Sequence, residues 1–157
     1  MENIEELFAV EPESWINALP TYQKNMVEKL YTEKGSYEEA ATAWLTASMS
    51  TTVPFGTEKG KSVFFEKVLD ELEAFFSGDV KYEDDRIAIL KEKSVVQTYV
   101  VGAISVALAP ILGASAVFLA PVVAIVLVTI TKIGINAWLE MRKERKAKEQ
   151  AVTPSQE

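Results

Sequence analysis

The sequence predicts an all-α protein: a small acidic helical head followed by a hydrophobic helical hairpin, read as two transmembrane helices. Three observations predict this. Apolar residues in the first ninety positions recur at three- and four-residue spacing, with no sustained strand alternation. The run from Ser94 to Thr131 contains no Asp, Glu, Lys or Arg. Charge is segregated around it: residues 1–93 are strongly acidic, and residues 132–157 carry a small excess of bases. The expected division is therefore an acidic cytoplasmic helical domain over 1–93, a hairpin over 94–140 and a tail over 141–157, basic then polar and disordered.

The head divides into short helices. Pro12 suits a first helical position, and Trp15, Ile16 and Leu19 form a short apolar face that Pro20 ends. From Thr21 to Lys34, Tyr22, Met26, Val27, Leu30 and Tyr31 share a face, and Gly35 suits a left-handed C-terminal residue. Ser36 followed by Glu39 is a capping box for a helix that places Tyr37, Ala40, Ala41, Trp44 and Leu45 together. A Ser-, Thr-, Pro- and Gly-containing loop, SMSTTVPFGTEKG, separates it from the most amphipathic segment. There Val63, Phe64, Phe65, Val68, Leu69, Leu72, Phe75 and Phe76 form an apolar stripe opposite Glu66, Lys67, Asp70, Glu71 and Glu73. Gly78 stops it. A last head helix starts near Glu83, with Asp84 and Asp85 suited to its positive end, and no breaker separates it from the apolar run. A head of this size is marginally stable alone.

Within the run, a turn at Gly113–Ser115 leaves helices at about 95–112 and 116–138, roughly 27 and 34 Å long against a hydrocarbon core of about 30 Å. Much of the second is β-branched, which is poor helix sequence in water and ordinary in lipid. Arg86, Lys91 and Lys93 precede the run; Arg142, Lys143, Arg145, Lys146 and Lys148 follow it; the turn has no base. The positive-inside rule then puts both termini in the cytoplasm and the hairpin in the cell membrane. Tyr99 and Trp138 lie where aromatic rings settle at an interface, and Arg142, Lys143, Arg145 and Lys146 suit anionic headgroups. Ser105, Ala109 and Gly113 stack as a small-residue packing ridge. Gln97 and Asn136 fall at similar depth and can bond to each other, and Lys132, Asn136 and Glu140 form a polar stripe. Lys132 is close enough to Trp138 to snorkel outwards.

Pro110 and Pro121 flank the turn, and each removes a backbone donor. If Ala109–Pro121 is an irregular cap instead, the helices shorten to about 14–18 residues, which suits a re-entrant or buried hairpin. In outline, amphipathic helices followed by an apolar hairpin resemble the pore-forming domains of colicins. That resemblance implies a hairpin hidden in a soluble shell until a membrane is met. It is one of architecture, with fewer shell helices here, and covering the whole run requires an oligomer.

The chain has no Cys and no His, which excludes disulfides, thiolate and Ser-His-Asp catalysis and nearly every zinc or haem site. No catalytic, cofactor-binding or metal-ligating residue is expected, and no enzyme. GTEKGKS resembles a phosphate-binding loop, but three residues separate Gly56 from Gly60 where four are required, so Ser62 reads as a helix cap. The acids of YEDDR read as a helix start rather than a cation site. The acidic head argues against nucleic acid, and the acidic N-terminus MENIEELFAVEPES is not a secretory signal. What remains is a membrane-perturbing or pore-forming effector, built from parts similar to those of bacterial defence effectors and phage holins. Its partners are the bilayer, other copies of itself and a protein that the head senses. The alternatives are a membrane-anchored adaptor, or a helical interaction module whose hairpin is buried in a soluble oligomer.

Overall fold

A computed structural model describes residues 4–49, 58–92 and 96–152, and all regular structure among them is helical. A 3-10 turn at Ile4–Phe8 precedes α1 (Ser14–Asn17), α2 (Thr21–Lys34), α3 (Tyr37–Met49) and α4 (Glu58–Ser77). A second 3-10 turn, Val80–Tyr82, leads into α5 (Glu83–Lys91). The chain then runs through α6 (Gln97–Leu112), α7 (Ala116–Ile133) and α8 (Ile135–Val152).

The head helices stop and start largely where their local chemistry dictates. Gly35 closes α2 at φ 86°, a conformation that costs a residue without a Cβ nothing. Half of the capping box forms, as the Glu39 amide donates to Ser36 Oγ at 3.1 Å; the Glu39 carboxylate meets the Ser36 hydroxyl, which donates to Oε2 at 3.3 Å. The stripe of α4 buries Phe64, Phe65, Val68, Leu72, Phe75 and Phe76, with Leu69 half-buried; Val63 is left exposed. Arg86 turns inward and donates to the Phe75 and Asp79 carbonyls at 2.9 and 3.1 Å, closing the end of α4.

The architecture is built around α7. Every residue from Pro121 to Val128 is buried. α6 packs along α7 as the other arm of the hairpin, while α1, α2, α3, α8 and the first 3-10 turn cover the remaining sides. α4 rests on α3, α6 and α8, and α5 rests on α6. One continuous apolar core runs from Leu7 to Trp138. A β-branched helix is stable in this setting because packing on all sides outweighs its propensity.

Several expectations change. The last head helix does not continue into the apolar run: Glu92 is extended, at ψ 126°, and α6 begins at Gln97. The second apolar helix does not reach 138. Gly134, at φ 95° and ψ 143°, ends α7, and Trp138 belongs to α8. The tail is helical as far as Val152 instead of disordered from 141, because its basic face has an acidic partner on α4. The described part of GTEKGKS is helical: α4 starts at Glu58, so Gly60, Lys61 and Ser62 lie inside a helix, and Ser62 is not at its start. Gly56 lies outside the described residues. Two transmembrane helices are not supported. Among the described residues only Ala116–Ile133 is long and apolar enough to cross a bilayer, and more than half of it is buried in the protein; α6 is shorter, at 16 residues.

Candidate functional site: the sheath around the apolar helix

The hairpin tip forms where its sequence puts it. Gly113, at φ 69°, terminates α6, and the Gly113 and Ala114 amides both donate to the Ala109 carbonyl. Ser115 Oγ caps α7 by accepting from the Phe118 amide at 3.2 Å. Pro110 sits on the exposed side of α6, with Val106, whose carbonyl it leaves without a helical donor, also exposed to water.

Pro121 is different, because it is buried. With no N–H, it cannot serve the Val117 carbonyl four residues back. Gln23 of α2 takes that place: its side-chain Nε2 donates to the Val117 carbonyl at 3.0 Å, and the residue is 1% exposed. One residue further on, Trp44 Nε1 of α3 donates to the Phe118 carbonyl at 2.9 Å, with its ring stacked on Phe118. At the opposite end of α7, Trp15 Nε1 donates to Thr131 Oγ1 at 2.7 Å, and Thr131 Oγ1 in turn donates to the Leu127 carbonyl. Three head helices thus each place one polar donor on α7. A donor of this kind matters most where the alternative is a carbonyl with no partner.

A second contact closes the sheath from the C-terminal side. Glu66, Asp70 and Glu73 share one face of α4, and Arg142 of α8 reaches all three. Its Nε lies 3.3 Å from Glu73 and its Nη1 lies 3.5 Å from Glu66, while Nη2 meets Asp70. The Arg142 side chain is only 7% exposed. Arg145 pairs with Glu66 at 3.2 Å, and Lys146 pairs with Glu73 at 3.0 Å. One turn before Arg142, Trp138 is buried in the core. The charged contact and the apolar anchor of α8 therefore face the same way. Packing beneath them is incomplete, leaving a cleft of about 190 Å³ between α4, α7 and α8, walled by Phe65, Leu69, Ile125, Val126 and Trp138.

The residues singled out from sequence are distributed differently. Gly113 and Ser115 form the turn. Of the small-residue ridge, Ser105 is buried and donates to the Val101 carbonyl, Ala109 is half-buried, and Gly113 is at the tip. Gln97 and Asn136 are not hydrogen-bonded to each other. Gly134 interrupts the helix between Lys132 and Asn136, which leaves Lys132, Asn136 and Glu140 exposed on two different helices, not in one stripe. Lys132 lies 5.3 Å from the centroid of the Tyr37 ring, a cation–π contact with the head. Of the two interface aromatics, Tyr99 is 42% exposed and Trp138 only 5%. Of the flanking bases, Arg142, Arg145 and Lys146 are engaged by α4, Lys143 is exposed, Arg86 caps α4, and Lys93 lies outside the described residues.

Gln23 was not among the sequence candidates, because it sits one residue off the Tyr22 and Met26 pattern. The signal was available elsewhere: a proline inside an apolar helix demands a donor from outside. Among the described residues no group of His, Cys, Asp or Glu is arranged to hold a metal ion, and no buried side-chain nitrogen or oxygen lacks a partner. No protein family, characterised protein or solved structure matches the chain.

Proposed function

We propose that the protein acts on a membrane, as a membrane-perturbing or pore-forming effector whose apolar hairpin is kept in its own helical head until a trigger releases it. One observation carries the reading. The helix with the length and composition to enter a bilayer is the one that the rest of the chain wraps, and it is held by discrete polar contacts that can be broken singly. An apolar sequence of 18 residues suits a buried core helix and a bilayer-spanning one alike, so the reading rests on the apolar helix and the breakable polar contacts together. In the released state the hairpin would associate with other copies in the membrane, and the head would carry the surface that senses the trigger.

The test has two parts. Carbonate extraction of cells expressing the chain should leave a fraction in the membrane, and purified protein should release dye from phospholipid vesicles. A chain recovered wholly in the soluble fraction and inert towards vesicles, even with the sheath loosened by Trp44→Ala, overturns the proposal. It would favour a second reading, a helical interaction module. The observation on that side is that one chain covers α7 from Pro121 to Val128 without an oligomer.

A further inference from the structure

We propose that the acidic row of α4 is an internal stand-in for an anionic phospholipid surface. It occupies the basic face of α8 until such a surface competes for it. This rests on the reading that the protein acts on a membrane, and it names what releases the sheath.

The argument starts from the contact chemistry. A guanidinium binds carboxylate and phosphate oxygens with the same planar fork, so Arg142 can exchange α4 acids for phosphodiester oxygens without changing its mode of binding. The pairing is many-to-many: Arg142 is shared by three carboxylates, and Glu66 and Glu73 each hold two bases. Residues 140–148 carry five bases and two acids. With the α4 acids in place that surplus is cancelled locally; with α8 lifted it is displayed. Lys143 and Lys148 are already exposed and can make the first contact with an anionic surface while the rest of the face is still occupied.

The exchange is coupled to α7 by position. Arg142 and Trp138 lie one turn apart on the same side of α8, so moving the cation off α4 also withdraws Trp138 from the core. The cleft lies under this point, so part of the apolar contact that would resist lifting is missing there. Gly134, open on the side where a Cβ would point and at a φ other residues rarely adopt, is a natural hinge between α7 and α8.

Co-sedimentation of the full chain with vesicles of phosphatidylcholine alone, or of phosphatidylcholine with phosphatidylglycerol, tests this. The chain has no cysteine, so Asp70→Cys with Lys146→Cys can be bridged by a bismaleimide, pinning α8 to α4. Binding to the anionic vesicles should fall at least tenfold on bridging, relative to the same double variant unbridged. Glu66→Gln with Glu73→Gln keeps Asp70 for Arg142 and should bind anionic vesicles several-fold more tightly than the native chain, with no gain on phosphatidylcholine. A thermal melt establishes that it folds. Equal binding with and without the bridge, or no gain in the acid-neutral variant, overturns the inference. Dye release separates it from the functional proposal. Clasp-dependent binding without release supports the inference and counts against permeabilisation; release that is indifferent to the bridge does the reverse.

Discussion

Gln23 is an amide on a face otherwise used for packing, and its only long-range bond is to the carbonyl that Pro121 deprives of a donor. Gln23→Leu keeps the volume and removes the bond to the carbonyl of Val117, itself an exposed residue. The expected loss is about 0.5–1.5 kcal/mol, read as a lower melting temperature by about 2–4 °C for each kcal/mol. Asn25→Ala, on the same helix and exposed, should change stability by no more than about 0.5 kcal/mol. Tyr82 makes a prediction in pH. Its phenol is buried and donates to Glu71 Oε1 at 2.6 Å; burial first, and that bond second, push its pKa well above the ordinary phenol value. The folded state therefore favours the neutral phenol. Its contribution is complete below pH about 10 and is lost as pH rises towards the higher folded value. Lys81, which also pairs with Glu71 and is raised by it, acts in the same direction. Melting temperature should fall above pH about 10, and Tyr82→Phe should make that fall shallower.

At the scale of elements, α2 and α3 were legible because their ends carry their own instructions, in Gly35 and in the Ser36–Glu39 box. The break between α7 and α8 was not. Lys132, Gly134 and Asn136 read as one helix, since an isolated glycine costs a helix only about 1 kcal/mol. In the structure Gly134 takes a φ of 95°, and nothing lies within 4 Å of where a Cβ would be. Gly134→Ala therefore meets no clash, and its direct cost is backbone strain, about 1–3 kcal/mol. The variant should melt lower while keeping its helical circular dichroism. It should also weaken the α4–α8 contact, because continuing α7 as a straight helix turns Arg142 away from Glu66, Asp70 and Glu73. Loss of the salt dependence of stability would report that.

For the whole molecule, the proposal makes membrane action a matter of population. A sheathed state and a released state exchange, and each ~1.4 kcal/mol removed from the sheathed state raises the released fraction about tenfold. Trp44→Ala removes the bond to the Phe118 carbonyl and the stacked ring, and should cost about 2–4 kcal/mol. Dye release from vesicles should rise at least tenfold, while Asn25→Ala, at an exposed position of α2, leaves it unchanged. Lower release by the Trp44 variant, with its fold intact, would count against a releasable sheath.

Read alone, the sequence determined the helical class, most of the head's helix ends and the hairpin turn, because caps, glycines and apolar spacing act over a few residues. It read two membrane-spanning helices, of which, among the described residues, only Ala116–Ile133 is long and apolar enough to cross a bilayer. Only the tertiary structure shows what packs against that segment in the folded chain. Hydropathy is the same for a β-branched apolar helix in lipid and in protein. The packing rests on contacts between residues far apart in the chain: Gln23 with Val117, Trp44 with Phe118, and Arg142 with Glu66, Asp70 and Glu73. No local pattern encodes those pairings, because each is set by how the helices pack.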